Sequence, residues 1–154
     1  MCIIADPNVS YPQFCAYLGC ASALVFSNAG AAYGTAKSSI AIANLGVVDP
    51  NKIFRALIPI IMAGILGIYG LIVGVLMAAK ADRATYIEGY AFLSAGLCCG
   101  LSSLASGLAI GIAGEAGVKA FAQTEHVFVG MILVLIFAEA IGLYGLIVAI
   151  ILSV

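Results

Sequence analysis

The chain has 154 residues, of which 64% are apolar and only 8% are Asp, Glu, Lys or Arg, where a soluble domain carries about 25% charged side chains. That little charge cannot cover the surface of a water-soluble globule, and the same hydrophobicity excludes a disordered chain. A net charge of −1 without a basic cluster argues against nucleic acid as a partner.

The charged residues mark off four apolar stretches. Residues 7–36, 56–79 and 89–114 are uncharged, and after His126 the only charge is Glu139. Each stretch exceeds the about 20 residues needed for one crossing. None accommodates two, because a turn bathed in lipid would leave backbone groups unpaired. The expected elements are four transmembrane helices at about 11–43, 54–79, 87–121 and 127–153.

Asp6, Pro7 and Pro12 stand where a secretory signal needs a basic region, so the first helix is expected to be retained. The first connection holds the turn-formers Asn44, Gly46, Asp49, Pro50 and Asn51. Lys37, Lys52, Arg55 and Lys119 lie toward the first and third connections, against Lys80 and Arg83 on the other side. That balance favours the first and third connections as cytoplasmic and both termini as lumenal. Glu115 and Lys119, spaced i, i+4, are expected to pair at the membrane interface.

Of the five cysteines, Cys2, Cys15, Cys20, Cys98 and Cys99, the adjacent pair points about 100° apart on a helix and makes a poor metal clamp. Small apolar packing is the better reading, and no metal or cofactor is implied.

The chain repeats itself. Gly67-Ile68-Tyr69-Gly70-Leu71-Ile72-Val73 recurs as Gly142-Leu143-Tyr144-Gly145-Leu146-Ile147-Val148 at an offset of 75. Gly30-x-Ala32-x-Gly34-x-Ala36 recurs as Gly107-x-Ala109-x-Gly111-x-Ala113 at an offset of 77. The fold class is therefore an all-α membrane protein built as a tandem helical hairpin, with units at 1–80 and 81–154. Each unit crosses twice, so the two copies share one orientation and are related by rotation about the membrane normal. The first and third helices carry small residues, such as Gly19, Gly30, Gly34, Gly96, Gly107 and Gly111; the second and fourth carry bulk, such as Ile60, Met62, Leu135 and Phe137. Thin helices beside thick ones suit a curved wall and hence a homo-oligomeric ring, although a tight bundle could use the same glycines.

Glu139 is the candidate functional residue. It lies about thirteen residues into the fourth helix, roughly 20 Å from its start, where a charge costs between about 3 and well over 10 kcal/mol. Lys37, Lys80 and Lys119 sit toward helix ends and can snorkel to the headgroups. The carboxyl is thus expected to keep its proton against lipid and to lose it only where water or a foreign cation arrives, as a proton carrier must. A purely structural alternative is a protonated carboxyl that hydrogen-bonds a neighbouring helix. Candidate partners are Ser102, Ser103, Ser106 and Asn28; Tyr144, about 140° around the same helix, is not an obvious one. The equivalent of Glu139 in the first unit is Gly64, so the chain has one such carboxylate rather than two.

These segments resemble the proteolipid c-type family of vacuolar-type proton-pumping ATPases over essentially the whole chain. The likeness lies in residues 24–38, with the Gly30–Lys37 run, in 59–73 and 107–118, and above all in 128–148 around Phe137-Ala138-Glu139. The resemblance implies a ring of c-type proteolipids with the first and third helices inside, and Glu139 as the proton carrier. It further implies a membrane stator subunit that supplies an arginine and a soluble ATP-hydrolysing sector joined through a central stalk. The chain itself would not act on ATP, and its home would be an acidified endomembrane. Sodium-coupled relatives add oxygen ligands near the carboxylate, where Gly64, Ile65 and Leu66 here offer none; a proton is the expected ion. A four-helix channel or junction-like pore, or a structural tetraspan protein, is the alternative.

Overall fold

The computed structural model describes residues 7–82 and 84–154, with side chains from residue 11 onward. Four long helices account for nearly all of it: α1 (Pro7–Val48), α2 (Ile58–Ala81), α3 (Tyr86–Gln123) and α4 (Val127–Ser153). All four are long and apolar enough to cross a membrane. Cys2, Asp6 and Arg83 lie outside the described residues.

Two boundaries differ from the sequence expectation. α1 continues through Asn44 and Gly46 to Val48, because Leu45 is buried between them and Gly46 lies against Ile53. Packing outweighs the weak helix preference of Asn and Gly. The turn shrinks to Pro50–Lys52, where the Asp49 carboxylate accepts from the Asn51 N–H. The expected single helix from residue 54 is instead a short turn, Ile53–Ala56, and then α2. Pro59 is the cause. It has no N–H to donate, so the ladder breaks at Leu57, whose carbonyl accepts from both Ile60 and Ile61. The start of α3 is set by Glu88, whose carboxylate accepts from the Thr85 N–H at 2.7 Å and its hydroxyl at 2.9 Å.

α1 and α3 run side by side in parallel, and their glycines explain how closely. A Cβ at Gly30 would lie 2.6 Å from the Ser103 carbonyl oxygen, and one at Gly89 would lie 2.7 Å from that of Pro12. Gly96 abuts the backbone of Gly19, and Gly107 that of Gly30. Only hydrogen at Cα permits such contact. α2 lies against both α1 and α3, while α4 packs on α3 and α2.

The two ends of the bundle are tied differently. Near the first and third connections, Glu125 pairs with Lys52 at 3.5 Å and with Arg55 at 3.8 Å. There Glu115 also holds Lys119 at 2.7 Å, as expected, together with Lys37 at 3.5 Å. At the opposite end, Lys80 donates to the Ser153 carbonyl at 3.0 Å, and Asp82 accepts from the Tyr17 hydroxyl and, through its carbonyl, from Gln13. Among the described residues, the other charged side chains lie toward the ends, and Glu139 is the carboxyl in the middle of the bundle.

Candidate proton-binding site

Glu139 sits midway along α4, on the flank turned toward α2, and is only 8% exposed. Oε1 accepts a 2.8 Å hydrogen bond from the Tyr69 hydroxyl. Oε2 is buried without a partner. Leu66, Ala63 and Leu135 belong to the apolar cluster that surrounds this level of the bundle.

The backbone around the carboxyl is fixed by two contacts. Ser106, fully buried on α3, donates to the Ala138 carbonyl at 2.7 Å. One turn on, Gly142 lets α4 close against α2, since a Cβ there would meet Leu66 at 2.7 Å and the Ser106 hydroxyl at 3.4 Å. The carboxyl is thus bonded from α2 through its side chain, and the carbonyl of the residue before it is bonded from α3.

None of the four expected partners bonds to Glu139. Ser106 uses its hydroxyl on the adjacent carbonyl, Ser102 donates to Cys99, and Ser103 is buried with its hydroxyl unpartnered. Asn28 lies instead beside Gly67. The partner is Tyr69, a residue that stands out in the sequence for the repeat but not for this role. A signal was available. α2 and α4 are parallel with equivalent residues level, so Gly64 stands at the height of Glu139 and Tyr69 lies five residues, or about 7.5 Å, further along. Side chains on a helix lean toward its N-terminus, and a tyrosine spans most of that distance. Tyr144 is 66% exposed and has no hydrogen-bond partner among the described residues.

The arrangement suits a group that changes charge. A neutral hydroxyl donates to one oxygen, whether the carboxyl is protonated or ionised, and the second oxygen is left for the proton. No cation pairs with Glu139 among the described residues; Lys37, Lys80 and Lys119 are all engaged at the ends. Phe137, 72% exposed, and Ile136 and Ile141 turn apolar surface outward beside the site. The described cysteines, Cys15, Cys20, Cys98 and Cys99, are free.

Comparison with known proteins agrees with this architecture. The model of the ATP synthase C-subunit family matches twice, at residues 18–77 and 93–152. The 16 kDa proteolipid c-subunit of the V-type proton ATPase from Ascaris suum is 53% identical over 150 residues, covering 95% of this chain and 93% of the relative. The proteins of that name from Nephrops norvegicus and Rattus norvegicus are each 55% identical, over 91% and 95% of this chain and 90% and 95% of their own lengths. With a duplicated match across most of its length and relatives this similar, the chain belongs to the ATP synthase C-subunit family, among the 16 kDa proteolipids of V-type proton ATPases.

Proposed function

We propose that this chain is the proton-carrying unit of a V-type ATPase rotor ring, with Glu139 as the carrier. One observation carries the reading: a mid-membrane carboxyl, almost wholly buried, has one neutral hydroxyl partner, one free oxygen and no cation among the described residues. An ionised carboxylate there is heavily penalised, so the group travels through lipid as the neutral acid.

In this mechanism a water-filled port on the cytosolic side delivers a proton to Oε2, neutralising the carboxyl. ATP hydrolysis in the soluble sector, transmitted by a central stalk, turns the ring and carries the acid past lipid. A stator arginine then favours the carboxylate, and the proton leaves through a second port to the lumen. Tyr69 keeps donating to Oε1 at each stage and holds the carboxylate in place while it is charged. The arginine must come from the stator, in keeping with a chain whose own cations stand at its ends. Each charge moved against 100 mV requires about 2.3 kcal/mol. One carboxyl per four helices lowers the protons moved per ATP, and so lets each be driven up a steeper gradient. The membrane would be an acidified endomembrane, with the ends near Lys52 and Glu125 facing the cytosolic motor and the termini facing the lumen.

Glu139→Gln tests the reading directly. Ring assembly should persist while ATP-driven proton transport falls to background. A hydrophobic carbodiimide, which requires a protonated carboxyl in an apolar site, should label Glu139 and spare Glu88 and Glu115. Normal acidification by the variant, or labelling of the end carboxylates alone, would overturn it.

A further inference from the structure

Among the described residues, two hydrogen bonds cross between helices in the middle of the bundle, and they meet on one turn of α4. Tyr69 of α2 donates to Glu139 Oε1, and Ser106 of α3 donates to the carbonyl of Ala138, the residue before it. The second contact is unusual for this chain. Ser22, Thr35, Ser39, Ser94, Ser102 and Ser153 each turn the hydroxyl back to the carbonyl three residues earlier in their own helix. That local bond is the ordinary way for a helical hydroxyl to be satisfied. Ser106 is fully buried, yet its hydroxyl crosses to α4 at 2.7 Å. Among the described residues it is the one serine or threonine that bonds to a different helix.

The Ala138 carbonyl keeps its ladder bond from the Gly142 N–H and has a second lone pair for Ser106. α4 is therefore held at one level from two sides: from α2 at residue 139, and from α3 at residue 138, about 100° away around the helix. A single bond would leave α4 free to pivot about it, whereas bonds to two different helices fix its rotational setting. The tolerance is small. A side-chain tip lies about 5–6 Å from a helix axis, so turning α4 by about 20° moves the carboxyl roughly 2 Å. An O–H···O bond spans only about 2.5–3.0 Å, so that turn breaks the bond to Tyr69. The repeat points the same way. At the offset of 77, Ser106 corresponds to Ala29, just as Glu139 corresponds to Gly64 at the offset of 75. The hairpin without the carboxyl also lacks the hydroxyl.

We infer that Ser106 is a positioning residue for proton carriage. By bonding the Ala138 carbonyl it fixes the rotation of α4 that keeps the Glu139 carboxyl on the Tyr69 hydroxyl. This rests on the rotor reading and adds the residue that aims the carrier. Ser106 bonds to neither the carboxyl nor its proton; it acts through the backbone of α4.

Ser106→Ala, in rings assembled in membranes, tests the inference. The substitution leaves the Ala138 carbonyl its ladder bond, so no buried group is orphaned. The infrared C=O band of the protonated Glu139 carboxyl, identified by its loss in Glu139→Gln, should move to higher wavenumber. The shift should run toward the position found in Tyr69→Phe, because in both variants Oε1 loses its donor. Modification of Glu139 by hydrophobic carbodiimide should quicken by about twofold to tenfold, the range expected for one net hydrogen bond. Ser106→Cys, which keeps the bulk but donates weakly, should behave alike. Because Ser106 acts through the bond from Tyr69, adding Ser106→Ala to Tyr69→Phe should quicken modification no further. A band at its native position in both Ser106 variants, or additive rates in the double variant, overturns the positioning role and leaves Glu139 the carrier. A native ring with no protonated Glu139 band at all overturns the rotor reading.

Discussion

The first and second hairpins share a glycine–alanine pattern and a tyrosine-bearing heptapeptide, yet they surround their equivalent positions differently. In the second, Glu139 is enclosed between α4 and α2 and bonded to Tyr69. In the first, Gly64 lies open, and the tyrosine equivalent to Tyr69 projects outward from α4. The same backbone therefore supports a carboxyl site in one junction and leaves its counterpart vacant. At the level of the site, Gly64 on α2 stands where α4 has Glu139, while the tyrosine five residues on is retained. A duplicated hairpin can in this way change how many carboxyls it presents without changing how it packs.

The largest effect expected from breaking this likeness falls on the scaffold that both hairpins share. Gly30→Val places a side chain where a Cβ already lies 2.6 Å from the Ser103 carbonyl and 2.8 Å from the Leu104 Cα. These are backbone atoms, which cannot rotate away as a flexible side chain would. The cost should reach about 3 kcal/mol or more, and the amount of assembled ring in membranes should fall by at least tenfold. Gly64→Ala, on the open flank, should leave ring yield within a factor of two. Equal loss from the two substitutions would mean that the close approach of α1 and α3 does not hold the hairpins together.

Gly64→Glu sharpens the comparison by restoring the absent carboxyl. The side chain has room within the chain, because a Cβ at Gly64 would meet nothing within 4 Å. Hydrophobic carbodiimide should then modify two sites per chain instead of one. Peptide mapping that finds modification only at Glu139 would show that the first hairpin cannot enclose an acid, whatever its likeness to the second.

Much of this organisation is legible before any coordinates. The four spans follow from where charge is missing, the repeat from Gly67–Val73 and Gly142–Val148, and Glu139 from being the one charge in the last stretch. The details that escape have local causes. Asn44 and Gly46 read as turn residues because propensity is counted residue by residue, whereas the helix there is held by the burial of Leu45. Pro59 is a visible break signal inside an expected helix, outweighed by the hydrophobic run on either side. For Glu139, small polar residues on the neighbouring helices are the natural candidates as partners. Which hydroxyl reaches it depends on the level of α2 against α4, and that level is fixed by contacts such as Leu66 with Gly142, which no single helix displays.

The two tyrosines permit a finer test. Tyr69→Phe removes the hydroxyl that donates to Oε1 and leaves the ring and its packing in place. A net hydrogen bond contributes about 0.5–1.5 kcal/mol, so ATP-driven proton transport should fall by between about twofold and tenfold with ring content unchanged. Tyr144→Phe removes a hydroxyl that bonds to nothing among the described residues, and transport should stay within twofold. If the two substitutions gave the same transport rate, the Tyr69 hydroxyl would have no part in holding the carboxyl.

The smallest effect belongs to the charged end of the bundle. Glu115 accepts from Lys119 on its own helix and pairs with Lys37 on α1, so Glu115→Gln weakens one link within a hairpin and one between hairpins. All three side chains are partly exposed, and pairs of that kind contribute about 0.2–1 kcal/mol each. Thermal unfolding of the detergent-solubilised ring should therefore move by a few degrees at most, and the shift should fade as salt is raised, because exposed charges are screened over about 8 Å at physiological ionic strength. Transport should be untouched, since neither lysine approaches Glu139. A loss of transport with the ring intact would mean that the charged end communicates with the mid-membrane carboxyl along α3, through Ser106 and the Ala138 carbonyl, the one polar contact that joins that helix to the site.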